Sequence, residues 1–244
     1  MYLSELVRVN SRFHRSIHLP SDWSNSSAVE SYVVTPEARE FARELAQSLG
    51  DEYGSRAWTL VGPYGCGKSA FCVMVADLLC REVPIHPVAR ELRRSVQIGK
   101  PLKPILLTGH RGPLNEALVD GLRSSRLLEN DNSSLIHSSD DVWRLYEQGI
   151  EAAISQGYGG LLLIIDEFGK FLEYASLHPE HEDLFVLQLL AEGAARYPGQ
   201  FLMLLVLHSS FANYLPLTAT RALRDEWQKI QGRFTEHAFH LPTS

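Results

Sequence analysis

The stretch Gly62-Pro63-Tyr64-Gly65-Cys66-Gly67-Lys68-Ser69 matches the pattern G-x-x-x-x-G-K-[ST] at every defined position. An apolar segment at 57–61 precedes it, and a helix-forming segment at 69–79 follows it. This strand–loop–helix context is far more specific than the pattern alone and indicates a phosphate-binding loop. The alternative, a glycine-rich turn that matches by chance, is disfavoured by these two flanking segments.

The residue types in the loop suit a polyphosphate. Its glycines let backbone N–H groups converge on an anion, and the start of the next helix adds partial positive charge. Lys68 is expected to reach the β- and γ-phosphates, and the Ser69 hydroxyl to ligate Mg²⁺. The N-K-x-D motif by which GTPases read their base is absent from the sequence, so ATP and Mg²⁺ are the expected ligands. The expected nucleotide contacts form one run: Gly62, Pro63, Tyr64, Gly65, Cys66, Gly67, Lys68, Ser69 and Ala70.

The composition is that of an ordinary soluble globular protein. The chain has 244 residues, 45% hydrophobic and 21% charged, enough for one large α/β domain or two small ones. Its net charge of −6 argues against a nucleic-acid-binding polycation, although the basic stretch at 90–103 leaves a local contact open. The longest apolar runs have the length of strands, and no signal peptide is visible. With its three cysteines expected to be reduced, the protein is expected in the cytoplasm, without a membrane partner.

Apolar runs of strand length alternate with helix-like segments along the chain. We expect strands at 57–61, 104–108, 161–165, 201–207 and 237–241, and helices at 36–49, 69–79, 113–128, 139–156, 180–196 and 221–231. Residues 1–30 are expected to be an N-terminal arm, and residues 81–103 a connector. Continuously apolar strands between helices indicate a parallel sheet covered on both faces. The expected fold is therefore a three-layer α/β sandwich with a mostly parallel five-stranded sheet, its core domain spanning 31–244.

A second functional segment is an apolar strand that ends in two carboxylates, Asp166 and Glu167. Ligands of open α/β sheets bind at the carboxyl ends of the strands, so this pair is expected beside the phosphate loop. Asp166 is expected to hold Mg²⁺ together with Ser69, and Glu167 to polarise a water for attack on the γ-phosphate. The alternative, that both acids only cap the following turn, is disfavoured because the same chain carries a phosphate loop.

The strand at 201–207 ends in His208 and Ser209. A polar side chain at this position could contact the γ-phosphate or the attacking water. The sequence does not distinguish between these two residues, and a satisfied strand-end turn explains them equally well.

The order of these parts resembles the additional-strand P-loop ATPases and, among them, the AAA+ family. The resemblance covers residues 30–241 and includes Gln231-Gly232-Arg233-Phe234 just before the last expected strand. In AAA+ proteins a Gly-Arg-Phe stretch in this location includes or adjoins the arginine finger, which implies that Arg233 stabilises transition-state charge in a neighbouring subunit. Arg221 and Arg224 are rival candidates, and a surface arginine at a helix end explains Arg233 equally well.

The chain departs from that family at two places. Family members usually continue past the fifth strand into a small helical lid, whereas this sequence stops at Ser244, so we expect a front part of a longer protein or a lidless module. The segment from Asp166 to Glu173, DEFGKFLE, replaces the usual loop after the acid pair. With the Gln-Gly-Arg-Phe stretch, this segment resembles the ATPase modules of large multi-gene bacterial systems such as those of phage defence.

Three functions compete on this evidence. The leading interpretation is an ATP hydrolase that couples Mg-ATP turnover to a conformational or assembly change, with self-association through the ATPase face and other protein subunits as expected partners. The second is a nucleotide-dependent switch with negligible hydrolysis, which could dispense with a base such as Glu167. The third is a phosphotransferase, disfavoured because Arg111 is the one arginine in the segment after the second strand that could clamp an acceptor.

Overall fold

A computed structural model describes residues 17–128, 138–179 and 184–239. Five strands form one sheet in the order β2-β3-β4-β1-β5, and every neighbouring pair is parallel. The strands are β1 (Ala57–Val61), β2 (Lys103–Thr108), β3 (Leu161–Asp166), β4 (Phe201–Leu207) and β5 (Thr235–Ala238). The predicted three-layer α/β fold with a five-stranded sheet is confirmed, and the sheet is entirely parallel.

Ten α-helices lie in the described part of the chain, together with a 3-10 turn at Phe211–Tyr214. None of these helices is both long and apolar enough to cross a membrane. The helices are α1 (Leu19–Asp22), α2 (Ser26–Glu30), α3 (Pro36–Gly50), α4 (Lys68–Cys80), α5 (Pro87–Val96), α6 (Leu114–Ser124), α7 (Ser139–Ser155), α8 (Gly169–Leu177), α9 (Phe185–Arg196) and α10 (Arg221–Gln231).

Two hydrophobic cores lie on opposite faces of the sheet, because alternate residues of each strand point to opposite sides. Leu161, Leu163 and Ile165 of β3 belong to the core shared with α6 to α10. Leu162 and Ile164 belong to the core shared with α1 to α5. Both faces of the central strands are therefore buried, which explains why they have continuous apolar sequences.

The structure corrects two expectations from the sequence. Residues 17–30 form α1 and α2 rather than an extended arm, and Leu19 and Val29 are fully buried in the core of that face. The expected connector at 81–103 contains α5, whose Ala89 and Leu92 are buried. Short helices were missed in both places because each buries only one or two apolar residues, and the turn-forming residues around them favour a loop. Residues 1–16 of the expected arm lie outside the described residues.

Other boundaries differ by a few residues. The helix expected at 113–128 ends at Ser124, and the one expected at 180–196 begins at Phe185, residues 180–183 lying outside the described part. Helix α8, directly after the acid pair, was not predicted at all. The fifth strand starts at Thr235 rather than at 237, and residues 240–241 of its expected end also lie outside the described part.

Gly193 of α9 provides a test of the packing between α9 and α7. A Cβ atom at this position would overlap the ring of Trp143 on α7. Although alanine favours helix formation by about 1 kcal/mol over glycine, overpacking a core costs about 1–3 kcal/mol. We expect Gly193→Ala to lower the free energy of unfolding by about 1 kcal/mol, measured by urea titration. Gly50→Ala is the matched control, because its Cβ would meet no atom within 4 Å, and an equal loss in both variants would contradict this packing.

Candidate active site

The predicted phosphate loop joins the carboxyl end of β1 to the first residue of α4. Gly65 and Gly67 have φ angles of +78° and +92°, in the left-handed region that side chains with a Cβ rarely adopt. Gly67 is also the N-cap of α4 and has no side chain that could accept hydrogen bonds from the helix. The first N–H groups of α4 therefore remain available for an anion, as a phosphate site requires.

Space around the loop also suits a phosphate. A Cβ added at Gly65 would meet no atom within 4 Å, and one at Gly67 would approach only the Tyr32 ring, at 3.6 Å. Gly62 is different, since its Cβ would overlap the backbone oxygen of Phe239. The first glycine therefore packs the loop against the segment after β5, whereas the space beside the other two is open.

Lys68 is the buried cation of the loop, with 5% of its surface exposed. Its Nζ donates to the backbone oxygens of Gly62 and Pro63, at 2.5 and 2.7 Å, and lies 3.5 Å from Nδ1 of His208. Charge-assisted hydrogen bonds to phosphate oxygens are stronger than bonds to neutral carbonyls. The ammonium group therefore lies where a bound polyphosphate could compete for it.

Asp166 ends β3 with only 3% of its surface exposed. Burial raises the pKa of its carboxyl group, whereas hydrogen bonds from the Ser69 hydroxyl and from the backbone N–H of Glu167 lower it. The Glu167 N–H lies 2.9 Å from Oδ1 of Asp166. A divalent cation would stabilise this buried carboxylate. Hydroxyl and carboxylate oxygens are hard ligands, and Mg²⁺ commonly retains several waters, so the Ser69–Asp166 pair fits Mg²⁺.

Glu167 has a φ of +52°, which is unusual for a residue with a side chain. The turn is accommodated by Gly109 after β2, because a Cβ there would overlap the backbone oxygen of Glu167. Strained backbone of this kind is concentrated at functional sites. The Glu167 side chain is 36% exposed, and its carboxylate forms an ion pair with Lys170, in the first turn of α8.

His208 and Ser209 follow β4 at the same edge of the sheet. The His208 ring stacks on Tyr64 of the phosphate loop, with ring centroids 3.5 Å apart. Burial lowers the pKa of His208, and the charge of Lys68 lowers it further. A neutral ring can accept a hydrogen bond from the Lys68 ammonium group. His208 thus contacts the phosphate loop directly, whereas Ser209 lines the adjoining cleft.

An open cleft of about 620 Å³ adjoins the phosphate loop. Two cations in it were not assigned to the expected ATP site from the sequence: Lys170, and Arg111, whose guanidinium donates to Glu173 at 3.0 and 3.1 Å. Arg111 could have been found from its position after β2, but Lys170 could not, because α8 was not predicted. The cleft is lined by Tyr64, His110, Arg111, Glu167, Gly169, Lys170, Glu173, His208, Ser209 and Tyr214.

Arg233 precedes the amino end of β5, whereas the phosphate loop of the same chain follows the carboxyl end of β1. Ala238 of β5 is level with Val61 at the end of β1, so Arg233 lies about 16 Å along the strand direction from the loop. Its guanidinium pairs with Glu192 at 3.2 Å. The structure therefore does not bring Arg233 into the site of its own chain.

The two rival arginines lie at the start of α10. Arg221 has a side chain that is 95% exposed and lies 3.8 Å from Asp225. Arg224 donates to the backbone oxygens of Leu217 and Ala219, at 2.8 and 3.0 Å. Of the two, Arg221 is therefore held more loosely.

Two of the five cations in the basic stretch at 90–103 donate to backbone oxygens. Arg90 donates to the backbone oxygens of Pro84 and Ile85, and Arg93 to those of Leu78 and Gly99. These bonds attach α5 to the end of α4 and to the loops around it. The stretch gives no added support to a nucleic-acid contact.

The sequence matches no family model and no curated protein. The fold is similar to solved structures of the Aeropyrum pernix ORC2 protein. The ADPNP–ADP complexes of that protein align with a TM-score of 0.54 and 14% identity over 87% of this chain and 51% of the other. Its ADP form aligns with a TM-score of 0.54 and 13% identity over 88% and 52%. The chain spans about half the length of these structures, and at this identity the likeness shows a shared fold.

Proposed function

We propose that the chain binds Mg-ATP and hydrolyses it, and that turnover drives a conformational or assembly change. The observation that carries this proposal is the meeting of three parts at one edge of the sheet: the phosphate loop with Lys68, the Ser69–Asp166 pair, and Glu167. The nucleotide complexes of the structurally similar ORC2 protein are consistent with it. The cytoplasm and the phage-defence setting remain predictions from the sequence.

Each group has a distinct task in this proposal. The N–H groups of the loop and the Lys68 ammonium bind the phosphates, and Mg²⁺ held by Ser69 and Asp166 neutralises charge on them. Glu167 accepts the proton of the attacking water. His208, in contact with Lys68, is the favoured strand-end residue to approach the γ-phosphate, with Ser209 as its alternative. Arg233 could act only in a neighbouring chain, which is why self-association belongs to the proposal.

Lys68→Ala tests nucleotide binding. It removes the buried cation expected to pair with the β- and γ-phosphates, and a hydrogen bond to a charged group is worth about 1.5–3 kcal/mol. We expect ATP affinity to fall about tenfold to a hundredfold, measured by calorimetry. Because Lys68 is buried, Lys68→Met should be measured beside it, with circular dichroism to confirm folding. Lys229→Ala, on α10, is the control. Unchanged affinity in a folded variant would reject the phosphate-loop assignment.

The second candidate function, a nucleotide switch, differs only in turnover. The position of Glu167 beside the Ser69–Asp166 pair favours hydrolysis, because a pure switch needs no base there. Steady-state phosphate release from the wild-type chain separates the two. ATP binding without measurable release would favour the switch.

A further inference from the structure

The ion pair between Lys170 and Glu167 is not explained by the stability of α8. Lys170 lies in the first turn of this helix, where the partial positive charge of the helix end disfavours a cation. The first turn contains no acidic residue, so the partner of Lys170 is Glu167, just before the helix. The two side chains are 46% and 36% exposed, and partly exposed pairs of this kind are weak. A stronger anion in the cleft could therefore displace Glu167 from Lys170.

The surroundings of Lys170 indicate which anion that is. Lys170 lines the cleft beside the phosphate loop together with Glu167, His208 and Tyr64. The His208 ring stacks on Tyr64 of the loop, its Nδ1 lies 3.5 Å from Nζ of Lys68, and it lines the cleft together with Lys170. The two ammonium groups thus belong to one site, with Lys68 at the loop and Lys170 on the side of the cleft. A phosphoryl group that extends beyond those held by the loop would enter the space next to Lys170.

We propose that Lys170 distinguishes ATP from ADP, by exchanging its bond to Glu167 for a bond to the γ-phosphate. The inference rests on the proposed function, since it requires nucleotide at the phosphate loop. A terminal phosphoryl group carries more negative charge than a carboxylate and has three strong acceptor oxygens, so it is the stronger partner for an ammonium group. ADP has no such group, so with ADP the ammonium stays on Glu167. The exchange also leaves the Glu167 carboxylate unpaired when ATP is bound, which is the state that accepts a proton.

The first test measures nucleotide preference without turnover. Calorimetry gives the affinities for ADP and for the non-hydrolysable β,γ-imido analogue of ATP, both with Mg²⁺. Lys170→Met keeps the side-chain length and removes the charge. We expect the preference for the triphosphate to fall about tenfold, with little change for ADP. Lys103→Met is the matched control. Lys103 is also partly exposed, but it lies at the amino end of β2, away from the carboxyl ends of the strands where the cleft lies. It should keep the wild-type preference.

The second test examines the exchange itself. Glu167→Gln should raise the preference for the triphosphate, because Lys170 no longer has to leave a carboxylate. Part of that rise would come simply from removing negative charge near the phosphates. Adding Glu167→Gln to the Lys170→Met variant measures this part alone. The rise that Glu167→Gln causes should be smaller in the Lys170→Met background than in the wild type.

The outcomes of the two tests either support the proposal or overturn it. A larger rise with Lys170 present, together with the loss of preference in Lys170→Met, supports the proposal. The proposal is overturned if Lys170→Met keeps the wild-type preference, if the wild type has none, or if Glu167→Gln has the same effect in both backgrounds. If the wild type and Lys103→Met bind neither nucleotide, the proposed function itself is wrong. That failure is distinct from normal binding with an unchanged preference in Lys170→Met.

Discussion

Glu167→Gln is expected to leave ATP binding intact and to reduce turnover by about 10²-fold or more. The amide is nearly the same shape as the carboxylate but cannot accept a proton from the attacking water. The residue follows β3 directly after Asp166, and its backbone N–H donates to that carboxylate at 2.9 Å. The substitution keeps this backbone contact, so the loss should come from the missing base. Phosphate release at saturating ATP measures turnover, and calorimetry measures binding.

Glu173→Gln is the matched control for this substitution. Glu173 lines the same cleft and is also paired with a cation, Arg111, but it lies in the second turn of α8 rather than beside the Ser69–Asp166 pair. Its loss should change turnover much less than the loss of Glu167. Equal turnover in the wild type and in Glu167→Gln would remove Glu167 from the role of base. A similar decrease in both variants would indicate a general effect of charge in the cleft.

Arg233→Ala is expected to reduce the activity of the assembled protein by about 10³-fold while largely preserving ATP affinity. An arginine that reaches across an interface can stabilise transition-state charge in the site of a neighbouring chain. Arg233 could act only in this way, because it precedes the amino end of β5 and lies far from the loop of its own chain. Specific activity of the wild type should therefore rise with protein concentration. The same titration with Arg233→Ala should be flat.

Mixing two inactive variants makes the test decisive. A site shared between an Arg233→Ala chain and a Glu167→Gln chain can combine an intact Glu167 with an intact Arg233, so the mixture should regain activity. Arg196→Ala is the matched control, because Arg196 is also exposed, pairs with a glutamate at 3.6 Å, and ends α9. Turnover independent of concentration, without recovery on mixing, would refute the role in trans. Lys170 and Arg111, which line the cleft, would then be candidates for this role within one chain.

The sequence by itself determined the strands and the loop whose patterns lie within a few neighbouring residues. The strands β1, β3 and β4 were predicted to within one residue because each is a continuous apolar run, which a strand buried on both faces requires. The glycine pattern located the loop between β1 and α4, and the expectation that Asp166, Glu167 and His208 lie at the carboxyl ends of parallel strands, beside this loop, is confirmed. In each case a few neighbouring residues contain the whole signal.

Only the tertiary structure decided which side chains contact one another and at which end of the strands each of them lies. The stacking of Tyr64 on His208 joins residues far apart in the chain, and no sequence pattern specifies it. The pairing of Lys170 with Glu167 depends on α8, a short helix whose start lacks the usual acidic residues. Arg233 was placed by resemblance, but its edge of the sheet follows from the parallel register of β5 on β1. These contacts depend on the packing of distant segments, which local propensity does not determine.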